Sequence, residues 1–155
     1  MNKFMETANN EAMAAVALGD GGPFGAVIVR DGAVVAQAHN EVIKNNDPTA
    51  HAEVVAIRRA SVALGRFDLA DCVIYASCEP CPMCLAAIFW ARIKTAYYGC
   101  TRLDAAASGF DDNLIYEYIK NPAAFPRSLR LIAVDSRECR QVMEFWQKKT
   151  DKTLY

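Results

Sequence analysis

The sequence predicts an α/β fold in which a mixed, five-stranded sheet carries helices on both faces. The segments FGAVIVR and AVVAQAH flank an Asp-Gly turn and predict an antiparallel hairpin. Farther along, CVIYAS, MCLAAIFWARI and KTAYYG alternate as strand, helix and strand, an order typical of parallel pairing. The segment LRLIAV, residues 129–134, is the candidate for the fifth strand.

Apolar residues at helical spacing predict the remaining elements. The first helix covers residues 4–18 and stops at Gly19. Another covers residues 50–64, with Thr49 as its predicted N-cap. DDNLIYEYIK and ECRQVMEFWQKK predict two helices near the C-terminus. A chain of 155 residues can bury roughly two-thirds of its unfolded surface, so we expect one domain over residues 1–155.

The charge balance narrows the class of partner. Lys and Arg total 17 against 18 acidic residues, so no net positive field is available to attract nucleic acid or anionic lipid. No apolar stretch is long enough to predict a membrane span, and the N-terminal segment lacks the apolar centre of a signal peptide. We therefore expect a cytoplasmic protein whose partners include neither nucleic acid nor a membrane.

Three of the six cysteines lie within CEPCPMC, residues 78–84. In a reducing cytosol such a cluster is more typical of metal binding or catalysis than of disulfides. Cys81 and Cys84 form a C-x-x-C pair at a predicted helix start, where the positive end of the helix dipole favours thiolates. Cys78 is a rival ligand. The isolated cysteines are expected to be small buried apolar residues: Cys72, Cys100 and Cys139.

The segment HAE supplies the other parts of a catalytic zinc site. Zinc in such sites takes three protein ligands and keeps one position for water. His51 completes a set with Cys81 and Cys84, and Glu53 can act as the base that moves the proton of that water. A structural Cys₄ site and a redox C-x-x-C are the alternatives, but neither accounts for His51 and Glu53. The order H-x-E followed by P-C-x-x-C is the signature of zinc deaminases.

On these motifs the chain resembles the cytidine deaminase-like superfamily. GGPFGAVIVRDG, NDPTAHAEVVAIR, SCEPCPMCLAAIFWAR and DAAASGFDDNLIYEYI extend the likeness over nearly the whole chain. GFDDN and the final aromatic resemble the bacterial guanine deaminase branch. The resemblance implies a three-layer α/β/α fold and a Zn²⁺ cofactor held by His51, Cys81 and Cys84, with Glu53 as proton shuttle. It also implies homodimers that exchange C-terminal segments, so that the tail of one subunit closes the pocket of the other.

The resemblance further implies residues that surround a purine base. Asn40 matches an asparagine that hydrogen-bonds the purine, Phe24 matches an aromatic ring lying against it, and Asp112 matches a pocket acid. The residues alone leave simpler alternatives open: an ordinary turn residue for Asn40, core packing for Phe24 and a helix N-cap for Asp112.

Three further residues complete the expected substrate site. Trp90 matches an aromatic near the base, with core packing as its alternative, and Tyr155 matches the final tyrosine that closes the pocket. Backbone N–H groups near Ala52 and Cys81 are expected to stabilise charge at the attacked centre. His39 has no ligand spacing and is expected to be structural.

The reaction that the resemblance implies is the zinc-dependent hydrolytic deamination of guanine to xanthine and ammonia, so the expected partner is a small-molecule purine base. Guanosine or another aminated heterocycle, such as an aminotriazine, is the first alternative. A tRNA adenosine deaminase should carry a basic face, which the charge balance does not favour. A non-catalytic zinc-bearing interaction domain would leave Glu53 without a role.

Overall fold

The computed structural model describes residues 2–125, 128–134 and 136–154. The chain divides into two compact units, Met1–Ile115 and Tyr116–Tyr155. The first unit holds the sheet and most of the predicted site residues, and the second holds the C-terminal helix.

The helices and strands follow the predicted order. The strands are β1 (Gly25–Arg30), β2 (Ala33–His39), β3 (Val73–Cys78) and β4 (Ala96–Cys100). The helices are α1 (Lys3–Leu18), α2 (Val42–Asn45), α3 (Ala52–Leu64), α4 (Pro82–Trp90), α5 (Arg102–Ala107), α6 (Asn113–Lys120) and α7 (Ser136–Lys148). Every predicted helix is confirmed to within a few residues, while the short helices α2 and α5 have no counterpart in the prediction.

The sheet is mixed, as the two sequence patterns predict. Its strand order is β2-β1-β3-β4. Strand β1 runs antiparallel to both β2 and β3, and β3 runs parallel to β4. Pairing of Gly25 with His39 sets the β1–β2 register, and it places His39 and the following Asn40 at the end of the sheet where β1 begins.

Helices cover both faces of the sheet because β1 is apolar on both sides. Ala26 and Ile28 join a core cluster with α3 and α4, whereas Val27 and Val29 pack with Ala8 of α1 on the opposite face. Successive side chains of a strand point to opposite faces, so this alternation requires a helical layer on each side. The three-layer α/β/α expectation is thereby confirmed.

Gly25 lets α1 lie close to β1. A Cβ atom at Gly25 would lie 2.1 Å from the carbonyl oxygen of Ala8 and 2.6 Å from the amide nitrogen of Ala12. Both are backbone atoms that cannot rotate away, so a side chain at this position is incompatible with the observed spacing between helix and strand.

The predicted fifth strand is wrong. Residues 129–134 form no ladder within the described parts of the chain, and the sheet there has four strands with β4 at its edge. Leu131, Ile132 and Val134 are all exposed. Apolar composition shows only that a segment suits an extended conformation, whereas a strand also needs the free edge of another strand as its partner.

The second unit contains the end of α6, a short 3₁₀ turn (Pro122–Ala124) and α7. The Tyr118 hydroxyl donates a hydrogen bond of 3.1 Å to the carbonyl oxygen of Leu129. Helix α7 exposes Val142, Met143 and Phe145, and none of its described residues is buried. Tyr155 lies outside the described residues. No helix in the described ranges is both long and apolar enough to cross a bilayer.

Candidate metal centre and its cavity

The starts of α3 and α4 bring the predicted metal ligands together. His51 is the N-cap of α3 and Cys81 is the N-cap of α4, with Pro82 and Cys84 in the first turn that follows. Neither N-cap side chain makes a capping hydrogen bond. Instead, His51 Nδ1 lies 3.6 Å from Cys81 Sγ and 3.5 Å from Cys84 Sγ.

The predicted cap of α3 is therefore wrong. The amide and hydroxyl groups of Thr49 both donate to Asp47 Oδ1, at 2.8 Å and 2.7 Å. This local turn holds Thr49 away from the helix terminus.

The spacing of the three ligand atoms fits a tetrahedral zinc ion. Zn–S bonds of about 2.3 Å and Zn–N bonds of about 2.0 Å at a tetrahedral angle separate sulfur from nitrogen by about 3.5 Å. Both observed sulfur–nitrogen distances, 3.5 Å and 3.6 Å, agree with that value. In the described part of the chain, His51, Cys81 and Cys84 are the one group of three or more His, Cys, Asp or Glu side chains arranged to hold a metal.

Cys78, the rival ligand, is engaged elsewhere. Its thiol donates to the carbonyl oxygen of Thr101 at 3.5 Å, and burial raises its pKa to about 11. Cys72 is buried as expected. The expectation of burial is wrong for Cys100 and Cys139, which are both exposed. Cys100 ends β4 and Cys139 lies in α7, and every described residue of these two elements is exposed.

The contacts within the ligand group favour a thiolate at Cys81. A hydrogen bond from the Cys84 thiol, assisted by His51 and opposed by burial, lowers the pKa of Cys81 to about 4. The proton stays on Cys84, whose pKa is raised, first by its hydrogen bond to Cys81 and then by burial. The hydrogen bond with Cys81 also raises the pKa of His51. A divalent cation bound here displaces the Cys84 proton, which makes metal affinity increase with pH.

Glu53 lies beside this group without belonging to it. It is the second residue of α3, and it is only 7% exposed. Burial is the main cause that raises the pKa of its carboxyl group, while a hydrogen bond with Cys84 opposes the shift. A buried carboxyl with a raised pKa can both accept and return a proton near neutral pH.

A cavity of about 530 Å³ opens over the metal ligands. It contains six of the predicted site residues: Phe24, Asn40, His51, Glu53, Cys81 and Asp112. The fold thus collects residues from five separate stretches of the sequence around one concave site, which is the usual form of a small-molecule pocket.

The side-chain amide of Asn40 has a fixed orientation. Its Oδ1 accepts hydrogen bonds from the backbone N–H groups of Gly22 (3.3 Å) and Val42 (3.2 Å). Because both partners are donors, the atom facing them must be the oxygen. Asn40 therefore offers its two Nδ2 donors to a ligand. A Cβ atom at Gly21 would lie 2.1 Å from Asn40 Oδ1, so a glycine is needed beside this amide.

Phe24 combines both roles that the sequence left open. It packs against the core cluster of α3 and α4, and it also lines the cavity. Its ring meets Phe110 edge-on, with centroids 5.0 Å apart and an interplanar angle of 85°. This T-shaped pair is a favourable aromatic geometry and holds the Phe24 ring in place.

Asp112 is not the side-chain cap of α6. The neighbouring Asp111 accepts the hydrogen bond of the Asn113 amide through Oδ1, at 2.9 Å. Asp112 faces the cavity, where burial is the main cause of its raised pKa and the Cys81 charge adds to the shift.

Comparison with known proteins assigns the chain to a family. Residues 1–100 match the family described as the cytidine and deoxycytidylate deaminase zinc-binding region. The chain belongs to this family. His51, Cys81 and Cys84 all lie within the matched residues, so the family and the geometry agree on a zinc site.

Individual relatives in this deaminase family extend the likeness. Guanine deaminase of Bacillus subtilis is 48% identical over 98% of this chain and 97% of its own length. An X-ray structure of guanine deaminase from that organism superposes with a TM-score of 0.94, covering 100% of this chain and 99% of the other. A tRNA-specific adenosine deaminase of Agrobacterium fabrum is 49% identical, but over only 62% of each chain.

Trp90 and Ala52, two further predicted site residues, do not line the cavity. Trp90 ends α4 and is 68% exposed, so core packing is wrong, and it does not line the cavity of its own chain. Ala52 is fully buried, and its backbone N–H lies at the N-terminus of α3 beside His51. The expectation for Tyr155 falls outside the described residues.

Among the cavity residues that the sequence analysis did not predict, Glu79 and Phe110 have defined contacts. Glu79 accepts a hydrogen bond from the Arg102 amide at 3.0 Å, which ties the loop before α4 to the start of α5. Phe110 forms the aromatic pair with Phe24. Both lie inside the quoted segments CEPCPMC and GFDDN, but their roles depend on contacts distant in the sequence.

Proposed function

We propose that this chain catalyses the hydrolytic deamination of guanine to xanthine and ammonia. The observation that carries the proposal is a three-ligand zinc site, with Glu53 buried beside it, at the bottom of a cavity of about 530 Å³. The match to Bacillus subtilis guanine deaminase over nearly the full length of both chains supports the choice of substrate.

The chain's own residues account for the proton transfers. His51, Cys81 and Cys84 hold zinc, which when bound supplies a Lewis acid that makes water nucleophilic near neutral pH. Glu53 takes a proton from the attacking water, and the oxygen of that water forms the new bond to the amine-bearing ring carbon. The carboxyl group then delivers this proton to the adjacent ring nitrogen, and it carries the second water proton to the departing ammonia. One water is consumed for each ammonia released.

Three side chains hold the base in this scheme. Nδ2 of Asn40 donates to an acceptor on the purine edge, and Asp112 accepts from a ring N–H group. Phe24 lies against the ring and is kept rigid by its contact with Phe110. These roles are supported by their common position on the cavity wall.

Exposed apolar surface supports a homodimer. Leu85 and Phe89 lie four residues apart on α4 and are both exposed, as is Trp90 at its end. Strand β4 has an unpaired edge within the described sheet, while residues 129–134, which are apolar except for Arg130, are exposed and without a ladder partner there. Exchange of C-terminal segments between two copies would give the β4 edge and residues 129–134 a partner, with residues 129–134 of one copy pairing with β4 of the other. In the same arrangement, Tyr155 would lie over the partner's pocket.

The decisive experiment is ammonia release measured on guanine, guanosine, adenine, cytosine and tRNA. We expect turnover on guanine to exceed turnover on the other compounds, with xanthine and ammonia formed in equal amounts. Preference for guanosine would transfer the proposal to a nucleoside, and activity on tRNA alone would contradict it.

A Glu53→Gln variant tests the proton shuttle in the same assay. It should keep its zinc and lose about 10²-fold or more in kcat, because only the transferable proton is removed. Glu6→Gln makes the same chemical change in the first turn of α1 and should leave kcat unchanged. Turnover unaffected by Glu53→Gln would remove this residue from the mechanism.

A further inference from the structure

His39 is a buried titratable group that the proposed reaction does not use. It ends β2, is 8% exposed, and lies directly before Asn40 in the sequence. Its Nδ1 lies 2.9 Å from Glu11 Oε2, and its Nε2 lies 2.8 Å from Asp20 Oδ2. Ionised carboxylates only accept hydrogen bonds, so both ring nitrogens must carry protons. With both carboxylates ionised, this geometry corresponds to an imidazolium ion.

The charges around His39 balance only if it is protonated. Asp20 Oδ2 also accepts from Lys44 Nζ of α2 at 2.9 Å, and Lys44 Nζ lies 3.9 Å from Glu41 Oε1. The same Glu41 oxygen accepts from Arg59 Nη2 of α3 at 2.6 Å. The charged groups facing this cluster are three carboxylates and two cations: Glu11, Asp20, Glu41, Lys44 and Arg59. A positive His39 makes the sum zero.

This cluster holds the backbone on both sides of the Asn40 amide. The carbonyl oxygen of Asp20 accepts from the amides of Ile43 and Lys44, each at 3.0 Å, which ties the turn after α1 to α2. Gly22 in that turn and Val42 at the start of α2 are the residues whose N–H groups fix Asn40 Oδ1. The position of the Asp20 turn therefore sets the orientation of the Asn40 amide.

We propose that His39 is a positioning residue, whose protonated ring clamps the Asp20 turn between α1 and β2 and thereby aims the Asn40 amide at the substrate. Its effect on guanine binding rests on the proposed function, whereas its charge and its control of Asn40 do not. His39 touches no reacting atom in this arrangement.

We expect substrate binding to weaken as pH rises through the pKa of His39. Burial opposes the charge on His39, but the hydrogen bonds with Asp20 and Glu11 prevail and raise its pKa above the ordinary value. A group whose pKa is raised by folding contributes stability that is complete below its unfolded pKa, about 6.5, and is lost as pH rises through its folded pKa. Above that value the neutral ring can donate to only one of the two carboxylates, and the clamp loosens.

Histidine NMR on the zinc-loaded protein measures the charge directly. The chain has two histidines, and metal ligation keeps His51 from titrating in this range, so the titrating ring is His39. We expect a midpoint above about 6.5 and disappearance of the signal in His39→Gln. The side-chain ¹⁵N–¹H resonances of Asn40 should shift with the same midpoint. The proposal would be overturned by a His39 midpoint at or below about 6.5, or by Asn40 side-chain resonances that do not shift as His39 titrates.

Kinetics on guanine then separate positioning from a merely structural role. His39→Gln should raise KM roughly tenfold, as expected for one misaligned hydrogen bond to substrate, with little change in kcat. It should also abolish the rise in KM that accompanies deprotonation of His39. Arg66→Gln breaks an ion pair with Asp71 away from the cavity and serves as the control with unchanged KM. A normal KM in folded His39→Gln would refute the role, and absence of any guanine turnover would refute only the proposed function, since the NMR result stands alone.

Discussion

At the scale of single residues, the fixed orientation of the Asn40 amide predicts how Asn40→Asp changes substrate binding. Asn40→Asp keeps an oxygen for the N–H groups of Gly22 and Val42 but replaces the Nδ2 donors with a second acceptor. We expect the variant to fold normally and to lose about 1–3 kcal/mol of substrate binding, seen as a higher KM for guanine.

The control for this substitution is the thermal unfolding temperature. It should be unchanged in Asn40→Asp, because the two backbone hydrogen bonds to the side-chain oxygen are kept. An unchanged KM would mean that Asn40 only closes the turn between β2 and α2. That was the simpler alternative available from the sequence alone.

The metal ligands were predictable because H-x-E and P-C-x-x-C are each short local motifs that together form the zinc deaminase signature. Each motif sits at a helix start, but the fold brings His51 to Cys81 and Cys84, which lie thirty and thirty-three residues away in the sequence. The orientation of Asn40 was not predictable, since it depends on an amide eighteen residues away in the sequence. Phe110 was missed for the same reason, because its partner Phe24 is distant along the chain.

At the scale of elements, the close packing of α1 on β1 predicts a large cost for one added methyl group. Gly25→Ala places a Cβ against backbone atoms of Ala8 and Ala12, so the helix must move away from the sheet. We expect a loss of about 2–3 kcal/mol in the free energy of unfolding, measured by urea denaturation, which exceeds the cost of backbone strain alone.

Gly32→Ala is the matched control for that measurement. The turn between β1 and β2 has open space around Gly32, whose φ of 75° is the only obstacle to a side chain. It should cost about 1 kcal/mol from backbone strain alone. Equal losses for the two variants would show that the helix adapts to the added methyl group.

Elements with long periodic patterns were predictable, and those that depend on a partner were not. Helices α1 and α3, of 16 and 13 residues, have clear apolar spacing and glycine stops. Helices α2 and α5, of 4 and 6 residues, are too short to show a period. Residues 129–134 have the composition of a strand, but no strand edge in the described sheet receives them.

At the scale of the whole molecule, exchange of C-terminal segments predicts that two inactive variants restore each other. Glu53→Gln lacks the proton shuttle, and Tyr155→Ala lacks the proposed lid. If the lid acts on the partner's pocket, a mixed dimer has one pocket with an intact Glu53 and an intact Tyr155. Mixing the two variants under conditions that exchange subunits should therefore recover activity on guanine.

A lid that acts within its own chain predicts the opposite outcome. In that case, each pocket of the mixed dimer lacks either Glu53 or Tyr155, and no activity returns. Light scattering on the unmodified protein is the companion measurement, and a monomer at assay concentration would rule out the exchange.

The entire account depends on a zinc ion held by one imidazole and two sulfurs, with a coordination position open to water. X-ray absorption at the zinc edge tests this most directly. We predict one zinc per chain with two sulfur neighbours at about 2.3 Å and two nitrogen or oxygen neighbours near 2.0 Å. Zinc surrounded by four sulfurs, or a spectrum unchanged by Cys84→Ser, would contradict the account.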